Sequence, residues 1–260
     1  MSGERVLLST EGAVATLAIN RPDARNGLVR GMGAEIHALL KRIAANKDVR
    51  LLVFRGVGRD FCPGADMKAP GKASDGGQAP APDFDAYQVT VMLHEMPQVT
   101  IAAIRGACAG AGLGYAAACD LRVGDDDVRI NTAFLDVGVA GDMGVPWLLP
   151  RLIGSGRARD LMFFPRKIGS AEAKAIGFLQ RVWQADRFED ELSALTARLA
   201  AAAPLALTAM KGNFVEAERT DLRSFITIEA ERHIRLLQTT DRIEAFKAWI
   251  EKRPAKFTGR

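Results

Sequence analysis

Gly106-Ala-Cys-Ala-Gly-Ala-Gly-Leu-Gly114 follows the apolar run Val99–Ile104, and from Gly110 to Ala118 it reads as a glycine-rich turn feeding a small-residue helix. Upstream, Phe61-Cys-Pro-Gly-Ala-Asp-Met-Lys68 follows a second short buried run, Leu51–Phe54, closed by Arg55-Gly56. In both segments glycine lets the chain turn sharply, so a backbone N–H can point into a cleft instead of pairing within a sheet. Two such N–H groups converging on one oxygen make an oxyanion hole. The second turn also opens a helix, whose dipole adds positive potential there. Taken singly, each segment fits a structural turn or a helix-packing glycine cluster equally well. A dinucleotide fingerprint is not met: Gly110-x-Gly112-x-x-Tyr115 lacks the third glycine, and no strand-end acid follows about 20 residues on.

Working outward, Arg5–Ser9 and Ala13–Asn20 are rich in Val, Thr, Leu and Ile, and they predict two strands joined at Glu11-Gly12. Arg21-Pro22-Asp23 stops the second, because proline cannot donate to a ladder. Met32, Ile36, Leu39, Leu40 and Ile43 recur at helical spacing, which predicts a helix over about Val29–Ala45. Asp83–Met96 predicts another helix, and Leu121–Val123 a further short strand. A strand–helix unit thus recurs at least three times in the first half, which argues for parallel pairing with crossover helices. Gly71–Pro82 has no bulky apolar residue and reads as a mobile surface loop. From Gly144 onward helices dominate: Val145–Leu152, Ala158–Phe164, Ala171–Ile176, Phe188–Ala202, Leu205–Glu218, Asp221–Gln238 and Arg242–Trp249. The expected class is α/β with a helical C-terminal part.

Composition narrows the function. The 260 residues carry 35 Lys and Arg against 31 Asp and Glu, a net +4 spread along the chain rather than gathered into a basic face. Nucleic-acid binding is not expected from such a spread. No apolar stretch is long enough to cross a bilayer, and the Met1-Ser2-Gly3-Glu4-Arg5 start does not read as a signal peptide, so a cytoplasmic protein without membrane contact is expected. The three cysteines, Cys62, Cys108 and Cys119, read as reduced, packed thiols. His37, His94 and His233 are well separated and predict no metal site.

Together the two glycine turns resemble those of the enoyl-CoA hydratase/isomerase, or crotonase-like, family. Its members carry an F-x-x-G-A-D-(I/L/M)-K-like turn, then G-x-x-x-G-(G/A)-G ahead of A-x-x-C-D, seen here as Gly106–Gly112 and Ala116–Asp120. Ile19-Asn-Arg-Pro22 with Asn26, Asp136-Val-Gly-Val, Leu149–Gly154, Ile168–Gly177 and Trp249–Arg260 match further family stretches in the same order. The resemblance implies a crotonase-like core of β-β-α superhelical turns over residues 1–200, and a helical trimerisation region over 201–260. It implies an acyl-CoA thioester as substrate, no separate cofactor since coenzyme A belongs to that substrate, and a homotrimer or hexamer. Residue by residue, it assigns the N–H groups of Ala65 and Ala111 to the thioester oxygen, each worth roughly 3–4 kcal/mol of transition-state stabilisation. It places Ala24, Asp66 and Met67 along the coenzyme A path, with Lys256 and Phe257 at its nucleotide end, reaching over from a neighbouring subunit.

Family hydratases place two glutamates over the substrate; here those positions are Gly114 and Phe134, neither of which moves a proton. Asp142, within Gly138-Val-Ala-Gly-Asp-Met-Gly144, instead matches an aspartate of dienoyl-CoA isomerases and of ring-epoxide phenylacetyl-CoA isomerases. Asp142 also precedes a helix, and from placement alone it reads as an N-terminal cap as readily as a catalytic group. One carboxylate suffices to move a double bond, and desolvation by Val139, Met143, Val145 and Trp147 would raise its pKa toward that work. A double-bond shift is therefore expected. Hydration or dehydration with Asp142 and a second acid such as Asp66 or Asp136 is the alternative, and acyl-CoA binding without catalysis is a further one.

Overall fold

The computed structural model describes residues 4–69 and 84–260, so the Gly71–Pro82 stretch lies outside the described residues. In chain order the first half runs β1 (Val6–Glu11), β2 (Val14–Ile19), α1 (Met32–Ala45), β3 (Leu51–Gly56), α2 (Phe84–Glu95), β4 (Val99–Ile104), β5 (Ala107–Ala109), α3 (Ala111–Ala118), β6 (Leu121–Asp125) and β7 (Arg129–Asn131). The second half adds α4 (Val145–Ile153), α5 (Ser155–Phe163), β8 (Ile168–Gly169), α6 (Ser170–Ala175), β9 (Arg181–Trp183), α7 (Phe188–Ala200), α8 (Pro204–Ala217), α9 (Leu222–Leu237) and α10 (Thr240–Ile250).

The main sheet has six strands in the order β1-β2-β3-β4-β6-β9. β1 and β2 form an antiparallel hairpin, and every later neighbour pairs in parallel. β3 and β4 read as continuous apolar runs because both faces of the sheet are covered. Successive side chains point to opposite faces. Leu52, Phe54, Ala102 and Ile104 therefore join the large core with α1, α2 and α3, whereas Val53, Ile101 and Ala103 pack with Phe188 and Leu192 of α7.

A second, three-stranded sheet, β5-β7-β8, was not expected. Its strands have three residues or fewer, too short for an alternating pattern to register. The Gly106–Gly114 stretch thus contains a strand before its helix, and an isolated parallel bridge from Cys62 to Cys108 brings the upstream turn alongside.

Two buried cations tie helices to this frame. Lys211 of α8 reaches Asp120 at 2.8 Å and the carbonyl oxygens of Gln98 at 2.8 Å and Leu93 at 3.2 Å. Arg122 donates to the carbonyls of Cys119 at 2.5 Å and Phe178 at 2.9 Å, and reaches that of Ala117 at 3.4 Å, closing the C-terminal end of α3. Its burial pushes the guanidinium pKa down to about 10, so it stays charged at neutral pH and opposes the negative end of the helix. Arg122→Met should therefore cost roughly 3 kcal/mol, since it strands buried carbonyls; thermal or urea unfolding would read the loss.

Candidate active site

The two glycine turns meet. Leu28 N–H donates to Gly64 C=O at 2.8 Å, and Asp66 N–H donates to Leu28 C=O at 2.9 Å. Across a trans peptide the carbonyl and the following N–H point in opposite directions. Because Gly64 C=O faces Leu28, Ala65 N–H faces away from it. On that other side Cys62 exchanges hydrogen bonds with Ala107 at 2.9 Å and Ala109 at 3.0 Å. The same reasoning orients Ala111: Gly110 C=O accepts Gly114 N–H at 3.2 Å inside α3, so Ala111 N–H points back out of the helix N-terminus. Neither amide has a hydrogen-bond acceptor among the described residues.

The approach is close enough to demand glycine. A methyl group on Gly64 would stand 3.4 Å from the Ala111 nitrogen, and one on Gly112 only 2.1 Å from the Cys62 carbonyl oxygen. Gly64 (φ 94°) and Gly110 (φ 53°) also adopt backbone angles that side chains resist. Two unpaired N–H groups on adjoining turns, one at a helix N-terminus, are equipped to receive a developing oxyanion.

Asp142 is half-buried and directly precedes Met143, which packs against Gly114 of α3. Its carboxylate accepts the N–H of Met143 at 2.7 Å, while the cap of α4 is Gly144, with no side-chain cap bond. The capping alternative is thereby set aside. Burial raises the Asp142 pKa above the ordinary carboxylate value, against the opposing pull of the Met143 N–H. Met143 and Val145 beside it are buried, but Val139 and Trp147 are exposed, so half of the expected apolar wall is open to solvent.

What fills the hydratase positions is also visible. A methyl group on Gly114 would lie 2.3 Å from Met143 Cβ and 2.7 Å from the Met143 carbonyl oxygen. The Asp142–Met143 turn occupies the space a side chain at 114 would need. Met143 holds φ 47°, and its carbonyl accepts the Thr90 hydroxyl at 3.2 Å. No sequence signal marks Met143 for this role, because it depends on a contact between distant segments. Phe134 is buried within the large core.

The expected coenzyme A residues fall in two places. Ala24 ends a short 3-10 turn (Pro22–Ala24), and Asp66 is joined to the same loop by an ion pair with Arg21 at 2.9 Å. Met67 is exposed beside Asp66. Lys256 and Phe257 lie instead on the tail after α10, where Lys256 N–H donates to Glu244 at 2.8 Å. Asp136, exposed on the 3-10 turn Leu135–Val137, stands on a separate turn from Asp142. The three cysteines are free and buried, and burial lifts Cys62 and Cys119 to about 12, which leaves them as packed thiols.

The chain is similar to known proteins along its length. A family model described as enoyl-CoA hydratase/isomerase matches residues 9–260. The crotonyl-CoA hydratase of Syntrophomonas wolfei is 30% identical over 99% of each chain. The mitochondrial Δ(3,5)-Δ(2,4)-dienoyl-CoA isomerase of Rattus norvegicus is 30% identical over 95% of this chain and 80% of its own. The crystal structure of an enoyl-CoA hydratase from Bacillus anthracis superposes with a TM-score of 0.90 at 26% identity, covering 99% of this chain and 100% of that one. A match that runs to the last residue, through both glycine turns, makes this chain a member of the enoyl-CoA hydratase/isomerase family, an acyl-CoA-processing enzyme with the crotonase fold.

Proposed function

We propose that the enzyme moves a carbon–carbon double bond within an acyl-CoA thioester. The Asp142 carboxylate takes a proton from a saturated carbon, either α to the thioester carbonyl or at the end of the double-bond system conjugated with it. The C–H electron pair moves through the π system to the carbonyl oxygen, and the amides of Ala65 and Ala111 stabilise the resulting enolate. Asp142, now protonated, returns the proton to a different carbon. Atoms and charge balance without water, a metal or a redox partner, and coenzyme A remains part of the substrate. The observation that carries this reading is the contact of Met143 with Gly114. It leaves no room for a carboxylate at one hydratase position, while Phe134 stands at the other, and both support Asp142, the residue next to Met143, as the acting group. Hydration needs one group to activate water and another to protonate carbon.

Mass spectrometry of enoyl- and dienoyl-CoA panels tests the proposal. The expected product is an isomer of unchanged mass, resolved from its substrate by chromatography; in deuterated water the deuterium it carries reports how far the proton on Asp142 exchanges before its return. A product heavier by one water would establish hydration instead, and tight binding without any product would make the protein a carrier of acyl-CoA.

Residues 201–260 we propose as the oligomer-forming region. α9 buries none of its 16 residues, and Phe214, Leu222 and Trp249 are each more than 70% exposed. Single molecules rarely leave so much apolar surface to water. Lys256 and Phe257 would then meet the nucleotide end of coenzyme A bound by the adjoining protomer. Light scattering coupled to size exclusion should return the mass of a trimer or hexamer, and Phe214→Glu with Trp249→Glu should lower it. A monomeric wild type would refute this assignment.

A further inference from the structure

We infer that Asn26 is the positioning residue of the oxyanion hole, clamping the loop that aims the Ala65 amide. The inference rests on the enolate-stabilising reading and adds to it a residue that touches no substrate.

Asn26 is fully buried, and the left-handed conformation of Arg25 (φ 55°) and Asn26 (φ 62°) turns the chain back on itself. Asparagine tolerates that region better than most residues. Its side chain uses both amide protons and its oxygen. Nδ2 donates to the carbonyls of Val57 at 2.9 Å and Asp60 at 2.5 Å, and Oδ1 accepts Arg21 N–H at 2.9 Å. There is no slack around it: a methyl group on Gly56 would lie 2.5 Å from Nδ2.

From this node, support runs to both oxyanion donors. On one side the loop is drawn together by Asn26 N–H to Arg21 C=O at 2.8 Å and Gly27 N–H to Ala24 C=O at 3.0 Å, with the Arg21 guanidinium on the Gly27 carbonyl and on Asp66. The loop ends at Leu28, whose N–H holds Gly64 C=O and so turns Ala65 N–H away from Leu28. On the other side, Asp60 carries its carbonyl on Asn26 while its carboxylate accepts Ala107 N–H at 2.7 Å and both prongs of Arg25 at 2.8 and 3.1 Å. Ala107 begins β5, which leads into Gly110 and Ala111. One side-chain amide therefore sits where the supports of the two donors join. An error of about 1 Å in such a group is enough to cost about 100-fold in rate.

Asn26→Gly tests this, because glycine accepts the same backbone angles and removes only the clamp; Asn26→Asp keeps the shape and replaces the two donors by an acceptor. The direct readout is the carbonyl stretch of saturating [1-13C]enoyl-CoA by difference infrared spectroscopy. It is recorded in an Asp142→Asn background so that no turnover intervenes. A polarised carbonyl absorbs at lower frequency when bound. Asn26→Gly and Asn26→Asp should each lose at least half of that shift at saturation. In the presence of Asp142 they should lower kcat about 10- to 100-fold, beyond any change in KM. A full shift retained in either variant, with the melt showing a folded protein, overturns the positioning role while leaving the oxyanion hole intact. Absence of any shift in the Asp142→Asn protein itself overturns the oxyanion hole and the positioning role together.

Discussion

Asp142→Asn should lower kcat by about 1,000-fold or more while binding of acyl-CoA, followed by calorimetry, stays within a few-fold. General acid–base catalysis contributes about 100- to 10,000-fold, and the proposed mechanism uses one group as base and then as acid, so its loss should strike both transfers. Asparagine keeps the size of the side chain and can still accept the Met143 N–H, so the turn survives. The sign of the pH dependence follows from burial. The reactive form is the carboxylate, and burial holds its pKa above the ordinary carboxylate value. As pH falls, kcat/KM should therefore decline at a higher pH than an exposed aspartate would give. Stability moves the other way: the folded chain binds this proton more tightly than the unfolded one, so ionising Asp142 destabilises the fold as pH rises through the raised pKa. Asp142→Asn should hold or raise the melting temperature at neutral pH. A variant that keeps its turnover would remove Asp142 from the mechanism.

Gly112→Ala should damage the enzyme nearly as severely by another route. Its methyl would sit 2.1 Å from the Cys62 carbonyl oxygen and 2.7 Å from Cys62 Cβ, inside any allowed contact. Backbone cannot yield as a flexible side chain does, so the two turns must separate. Misaligned donors should cost roughly 100- to 1,000-fold in kcat, and overpacking about 1–3 kcal/mol in stability. Gly156→Ala is the matching control, because nothing lies within 4 Å of its added methyl in α5. It should leave activity alone and stabilise by about 0.5 kcal/mol. Steady-state kinetics with thermal melts on both variants decides the comparison. An active Gly112→Ala protein would show that the close approach of the turns is dispensable.

Much of this was legible before any coordinates. β3 and β4 announced themselves because burial on both faces makes each an unbroken apolar run, and α1 because Met32, Ile36, Leu40 and Ile43 recur on one face. Its start was less legible: Val29 looked helical, yet Leu28 just before it bridges to Ala65, and the helix begins only after Gly31. β5, β7, β8 and β9 were invisible because strands this short are specified by their partners, not by their own pattern. The two glycine turns were legible as a pair, but whether their amides face one another depends on Leu28. Whether Asp142 caps a helix depended on the backbone of Gly144. Neither answer is carried by residue type.

The wedge of Met143 against Gly114 has a consequence for how this activity could be exchanged for a relative's. Installing glutamate at 114 places its Cβ inside Met143, so the substitution alone yields a misfolded or crippled protein rather than a hydratase. The 142–144 turn would have to retreat in the same step, and with it would go the carboxylate proposed as base and acid. On the proposed mechanism, a side chain at 114 and the present 142–144 turn exclude one another, so a single substitution at 114 should not exchange one chemistry for the other.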